Sequence, residues 1–114
     1  MITAQHDCPV ARTAELVGDM WTLLIVRDLM NGSKRFGQLQ ESLGHISPKT
    51  LSQRLKTLEH ADLLTRKAFA EIPPRVEYTL TEKGWALYDI VQAMSAFGER
   101  YLPVEEVMLQ AAGD

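Results

Sequence analysis

Cysteine is nearly absent from this chain: Cys8 is the single one in 114 residues. One thiol excludes an intrachain disulfide framework and any cysteine-rich zinc site. Long apolar runs are missing too. The longest, Leu23 to Val26, is far too short to cross a bilayer, and Met1 to Pro9 lacks both the basic run and the apolar stretch of a signal peptide. The three histidines, His6, His45 and His60, are scattered without the spacing of a metal site. There is no glycine-rich phosphate loop and no Ser-His-Asp order, while Asp89, Glu99, Glu105 and Glu106 read as solvated charge on an acidic face. These absences lead us to expect a cytoplasmic protein that is not an enzyme, needs no metal or cofactor and has no membrane role. With 46% hydrophobic and 24% charged residues, and no repeat or linker, residues 1–114 read as a single globular domain.

A net positive charge is also lacking. The chain carries −3 overall, but its charges are not evenly spread. Between Ser33 and Arg75 lie eight basic residues (Lys34, Arg35, Lys49, Arg54, Lys56, Arg66, Lys67, Arg75) against four acidic ones (Glu41, Glu59, Asp62, Glu71). The flanks hold four basic against eleven acidic residues. A basic middle between acidic ends can offer phosphates a positive surface on an acidic protein.

The periodicity predicts a mainly α chain with one small β-hairpin. Pro9 opens a first helix, with Asp7 as the expected N-cap, and Gly18 ends it. Asp19 caps a second helix from about Met20 to Met30, and Asn31-Gly32 stops it. Ser33-Lys34-Arg35 leaves room for a minimal strand. Phe36 to Leu43 reads as a short helix ended by Gly44. Ser47-Pro48 then starts a further helix running to about His60, with Leu51, Leu55 and Leu58 on one face. Beyond Leu64 the helical spacing is lost and prolines 73 and 74 break the chain, after which Val76, Tyr78 and Leu80 alternate with Glu77 and Thr79 as in a half-buried strand. Thr81 is expected to cap one long helix, broken at Pro103, with a short last helix from Val104 to Ala112. The resulting division is an N-terminal arm and helix over 1–18, a helix-turn-helix core over about 19–62, a hairpin over about 63–80 and C-terminal helices over about 81–112.

A helix-turn-helix followed by a hairpin is a winged helix (an α+β fold), and its second helix is the element that enters the major groove. With its leucines inward, the Pro48–His60 helix turns Lys49, Gln53, Lys56 and His60 outward, flanked by Thr50, Ser52 and Thr57. Gln can bond adenine in a bidentate manner, Lys can donate to guanine or phosphate, and Ser or Thr can do either. Lys49, Thr50, Ser52 and Gln53, in the N-terminal half, are the expected base readers. Arg54 lies about 60° from the core centre, which leaves an internal ion pair and a phosphate contact both open. At the Pro73-Pro74-Arg75 tip, Arg75 is expected to reach a minor groove, with Arg66 and Lys67 on flanking phosphates. Arg35 joins the DNA-binding set.

Several stretches together resemble the HxlR branch of MarR-related regulators. They are Cys8-Pro9-Val10, Gly18-Asp19-Met20-Trp21, Arg35-Phe36, Leu51-Ser52-Gln53-Arg54-Leu55 with Leu58-Glu59, and Pro73-Pro74-Arg75-Val76-Glu77-Tyr78-Thr79-Leu80-Thr81 with Lys83-Gly84. The resemblance runs from about Cys8 to Tyr101. It implies a transcription regulator that binds double-stranded DNA as a homodimer through its terminal helices. Two positions depart from the family's pattern: Asp19 stands where Gly is usual, and Phe97 where Trp is common.

The apolar stripe of Leu87, Ile90, Val91, Met94, Phe97 and Tyr101 is the expected dimer interface, giving a two-fold operator. Cys8 has two readings. Some members similar to this chain use the N-terminal Cys-Pro thiol to sense oxidants or electrophiles, and the start of a helix at Pro9 favours a thiolate. Asp7 disfavours one, and a lone Cys in a helical protein is often a small buried hydrophobe. A small-molecule effector between the helices is compatible with either. The rival function is a winged helix used for protein interaction or dimerisation without DNA, which would show apolar residues where Lys49, Gln53, Lys56 and Arg75 stand.

Overall fold

A computed structural model describes residues 7–104. Helix α1 spans Pro9–Val17, and its N-cap is Cys8, one residue later than expected. Asp7 does not cap; proline at the first helical position fixes the boundary, and the Cys8 carbonyl accepts the first helical bond from Arg12 N–H at 3.0 Å. Helix α2, Met20–Leu29, is capped by Asp19, whose carboxylate accepts from Thr22 N–H at 2.9 Å. The two-residue strand β1, Lys34–Arg35, leads directly into α3, Phe36–Leu43. There the Gln38 side chain accepts from Arg35 N–H and satisfies a donor the helix start leaves over.

Helix α4 runs Pro48–His60, with Ser47 Oγ accepting from Thr50 N–H at 3.1 Å. Its far end is closed by Asp62 at φ 61°, a left-handed position, so that Leu63 N–H reaches back to Leu58 O at 2.9 Å. Strands β2, Leu64–Phe69, and β3, Arg75–Leu80, form the hairpin. β1 pairs with the other side of β3, giving a three-stranded antiparallel sheet in the order β1-β3-β2. The minimal strand expected from Ser33-Lys34-Arg35 is thus a third strand of the wing.

The core lies where α2, α3, α4 and the sheet meet. Ile25, Val26, Leu29, Leu39, Leu51 and Leu58 are fully buried there, joined by Leu63, Leu64, Tyr78 and Leu80 from the hairpin. Each buried Leu or Ile side chain contributes about 2 kcal/mol relative to exposure. The leucine spacing of α4 is therefore what holds its opposite face outward.

The expected single helix after Thr81 is two helices, α5 over Glu82–Trp85 and α6 over Tyr88–Tyr101. Leu87 N–H bonds Gly84 O, three residues back, and this tightened turn separates them. Thr81 does cap α5: its Oγ accepts from Gly84 N–H and donates to Asp62 O. Gly84 sits hard against the Leu63 carbonyl, where a Cβ would lie 2.1 Å from the oxygen. Of the short last helix expected over 104–112, only Val104 is among the described residues. No helix among the described residues is long and apolar enough to cross a membrane.

Candidate nucleic-acid interface

Lys49, Gln53 and Lys56 stand fully on the solvent side of α4, with Thr57 and His60 beside them. Thr50 and Ser52 are half-buried, and the Thr50 N–H is engaged by the Ser47 cap. The face has the donors and acceptors that base edges and phosphates require, and its residues project from a helix anchored by three buried leucines.

Of the two roles open for Arg54, the internal ion pair is the one formed. Its Nε donates to Asp19 Oδ2 at 2.8 Å, and Nη2 lies 3.4 Å from Oδ1. The Asp19 carboxylate thus caps α2 and ties α4 to it. The hydrogen bond from Arg54, supported by Thr22 N–H and hydroxyl against the opposing effect of burial, lowers the Asp19 pKa from 3.8 to about 2. The same contact raises the pKa of Arg54. Nothing in the local sequence around Asp19 signalled a partner 35 residues away.

The sheet register shows how the wing cations are arranged. Arg35 and Lys67 are both opposite Glu77, one from each neighbouring strand, so the three share the sheet's outer face. Phe69 lies opposite Arg75 on that face. Arg75 does not stand free at the hairpin tip as expected. It is the first residue of β3; its guanidinium stacks 4.1 Å from the centre of the Phe69 ring, and Nη2 lies 2.9 Å from Glu71 Oε2. Nε is 3.3 Å from Glu77 Oε2 but too poorly aligned to make a hydrogen bond. Lys67 remains exposed, with its ammonium 5.0 Å from the same ring. The carboxylates that hold Arg75 escaped the sequence reading, which treated charges by count; the alternation of β3 places Glu77 on this face and was the available signal.

The stripe on α6 divides in two. Leu87 and Val91 pack against the chain's own core, whereas Ile90, Met94, Phe97 and Tyr101 are exposed. Val91 follows Leu87 by one helical turn and therefore points the same way, inward. Ile90 and Met94 border an apolar groove of about 520 Å³ whose other walls are Val10, Ala14 and Val17 of α1 and Leu23 of α2. Cys8, at the start of α1, is exposed in the single chain, where the packing reading expects it buried.

Residues 16–106 match the HxlR-like helix-turn-helix family. The chain belongs to this family. HxlR-type relatives cover most of its length. The HTH-type transcriptional regulator YodB of Bacillus subtilis is 42% identical over 95 residues, which are 82% of this chain and 85% of YodB. An uncharacterised HTH-type transcriptional regulator of Synechocystis is 39% identical over 100 residues, covering 88% of this chain and 74% of the relative. Among solved structures, the redox regulator HypR in its oxidised form superposes with a TM-score of 0.78 at 33% identity, covering 82% of this chain and 96% of HypR. The chain is therefore a winged helix transcription regulator of the HxlR type, not an enzyme, and DNA binding comes with the family.

Proposed function

We propose that this HxlR-type regulator binds a two-fold operator as a homodimer in the cytoplasm, with α4 of each subunit in a major groove. The observation that carries the reading is the α4 face itself: Lys49, Gln53 and Lys56 exposed opposite buried Leu51, Leu55 and Leu58. An interaction module would place apolar residues there. Lys49, Thr50, Ser52 and Gln53 read bases, Lys56, Arg35 and Lys67 hold phosphates, and Arg54 positions α4 from behind through Asp19. Ile90, Met94, Phe97 and Tyr101 form the seam between subunits; four exposed apolar side chains on one helix favour a covering partner.

Sequencing the genomic fragments retained by the purified protein tests the reading and yields an operator. On that operator, Gln53→Ala should cost about 1–3 kcal/mol and relax one or two base positions per half-site, while random DNA is bound nearly as before. Failure to retain any duplex would return the chain to the interaction-module reading.

A second reading, response to thiol stress, is favoured by one observation: Cys8 is exposed at the start of α1, beside the groove that Pro9 and Val10 help to line. The relatives include a protein called a redox regulator. The groove is also where a small apolar effector would be accommodated.

A further inference from the structure

The wing tip carries an unexpected chemistry. The cation expected to enter the minor groove is turned back onto the sheet, and what stands at the tip is apolar. Ile72 is 103% exposed, and its neighbours Pro73 and Pro74 are exposed as well. One exposed apolar side chain on a surface is ordinary. Three in a row at the end of a hairpin stiffened by two prolines form a blunt projection with little left to order on binding. Arg75 meanwhile keeps only 32% of its side chain exposed, between Glu71, Glu77 and the Phe69 ring.

Electrostatics explains why the arginine belongs there. Glu71 is the residue before Ile72, so a wing that approached DNA with Glu71 and Glu77 uncovered would bring two carboxylates toward phosphates. Arg75 sits between them and offsets part of this repulsion, leaving Lys67 and Arg35, on the same face, to supply the attraction from lower on the wing. Building on the proposed DNA-binding function, we infer that Ile72, backed by Pro73 and Pro74, is the group the wing inserts into the minor groove, and that Arg75 is a positioning residue which masks Glu71 and Glu77. Apolar wedges of this kind insert between base steps from the minor groove and partly unstack them, with no charge of their own. The wing then favours sites by groove width and deformability at their edges, with no base-specific hydrogen bond.

The test is a set of affinities for the isolated operator, measured by fluorescence anisotropy across a salt series. Ile72→Ser alters a fully exposed side chain and leaves the fold intact; binding should weaken about tenfold with the salt slope unchanged. Arg75→Ala should weaken binding by a similar factor, and adding Glu71→Gln and Glu77→Gln should restore it to within about threefold of the wild type. A triple variant that stays as weak as Arg75→Ala, with a salt slope lower by about one, would make Arg75 a direct phosphate contact and overturn the masking role. Ile72→Ser with wild-type DNA affinity would overturn the wedge, and loss of assembly in light scattering for that variant would assign the tip to a protein surface instead. The DNA-binding reading fails separately, if the wild type itself binds no duplex.

Discussion

Asp19→Asn isolates the tie between α2 and α4. Asparagine is as good an N-cap as aspartate, so Thr22 N–H keeps its acceptor and the substitution removes the charge that faces Arg54. Taken at face value, the drop of the Asp19 pKa from 3.8 to about 2 corresponds to about 2.5 kcal/mol of stability at neutral pH. The side chains are 39% and 33% exposed, so solvent screens the pair, and about 1 kcal/mol is the expected share. A carboxylate whose pKa is lowered by folding stabilises fully above its unfolded value. That contribution is lost as pH falls from 3.8 through about 2. Urea unfolding of the wild type, Asp19→Asn, Arg54→Met and the double variant, at one protein concentration, gives the coupling directly. It should be about 1 kcal/mol at neutral pH and vanish by about pH 1.5. Asp19→Ala, which also loses the cap, should cost roughly another 1 kcal/mol. A coupling near zero at neutral pH, or one that persists unchanged in acid, would refute the reasoning.

Gly84→Ala should destabilise by about 1–3 kcal/mol in thermal or urea unfolding, because its Cβ has no room beside the Leu63 carbonyl. Met94→Glu places a charge on the exposed side of α6, at a residue 52% exposed in the single chain; light scattering should show a folded monomer, and operator affinity should fall with it. Native Cys8 should be alkylated rapidly at neutral pH, since it is exposed. If it senses oxidants, mild oxidation should give an intersubunit disulfide or a mixed disulfide with a small thiol, with a parallel change in DNA affinity that Cys8→Ser abolishes.

Local signals placed most of the fold. Ser47-Pro48 and the leucines at 51, 55 and 58 located α4 to the residue, because cap, proline and periodicity all act within a few positions. The prolines at 73 and 74 located the hairpin turn for the same reason. Features that depend on distant partners stayed hidden. The pairing of β1 with β3 joins residues more than forty apart, and two residues are too few for an alternation to show. The break between α5 and α6 leaves the apolar spacing almost untouched, so the periodicity ran through it. In the site, the exposed face of α4 was legible from the leucines opposite it. The restraint of Arg75 was not, because a charge count does not say which carboxylate a strand register will bring alongside.

The order of elements also sets an order of events during synthesis. The buried core draws on residues from Val17 to Leu80, and β3 lies between β1 and β2 as the strand both require. A nascent chain therefore cannot close this core until Leu80 has cleared the ribosome, despite the local character of its helices. Once it has, Gly84 and Thr81 can seat α5 on the finished domain. Among the described helices α6 emerges last, and its exposed residues Ile90, Met94, Phe97 and Tyr101 follow every fully buried apolar residue of the core. Its sticky face thus leaves the ribosome after the residues that close the core, which limits misassembly between half-made copies on one messenger.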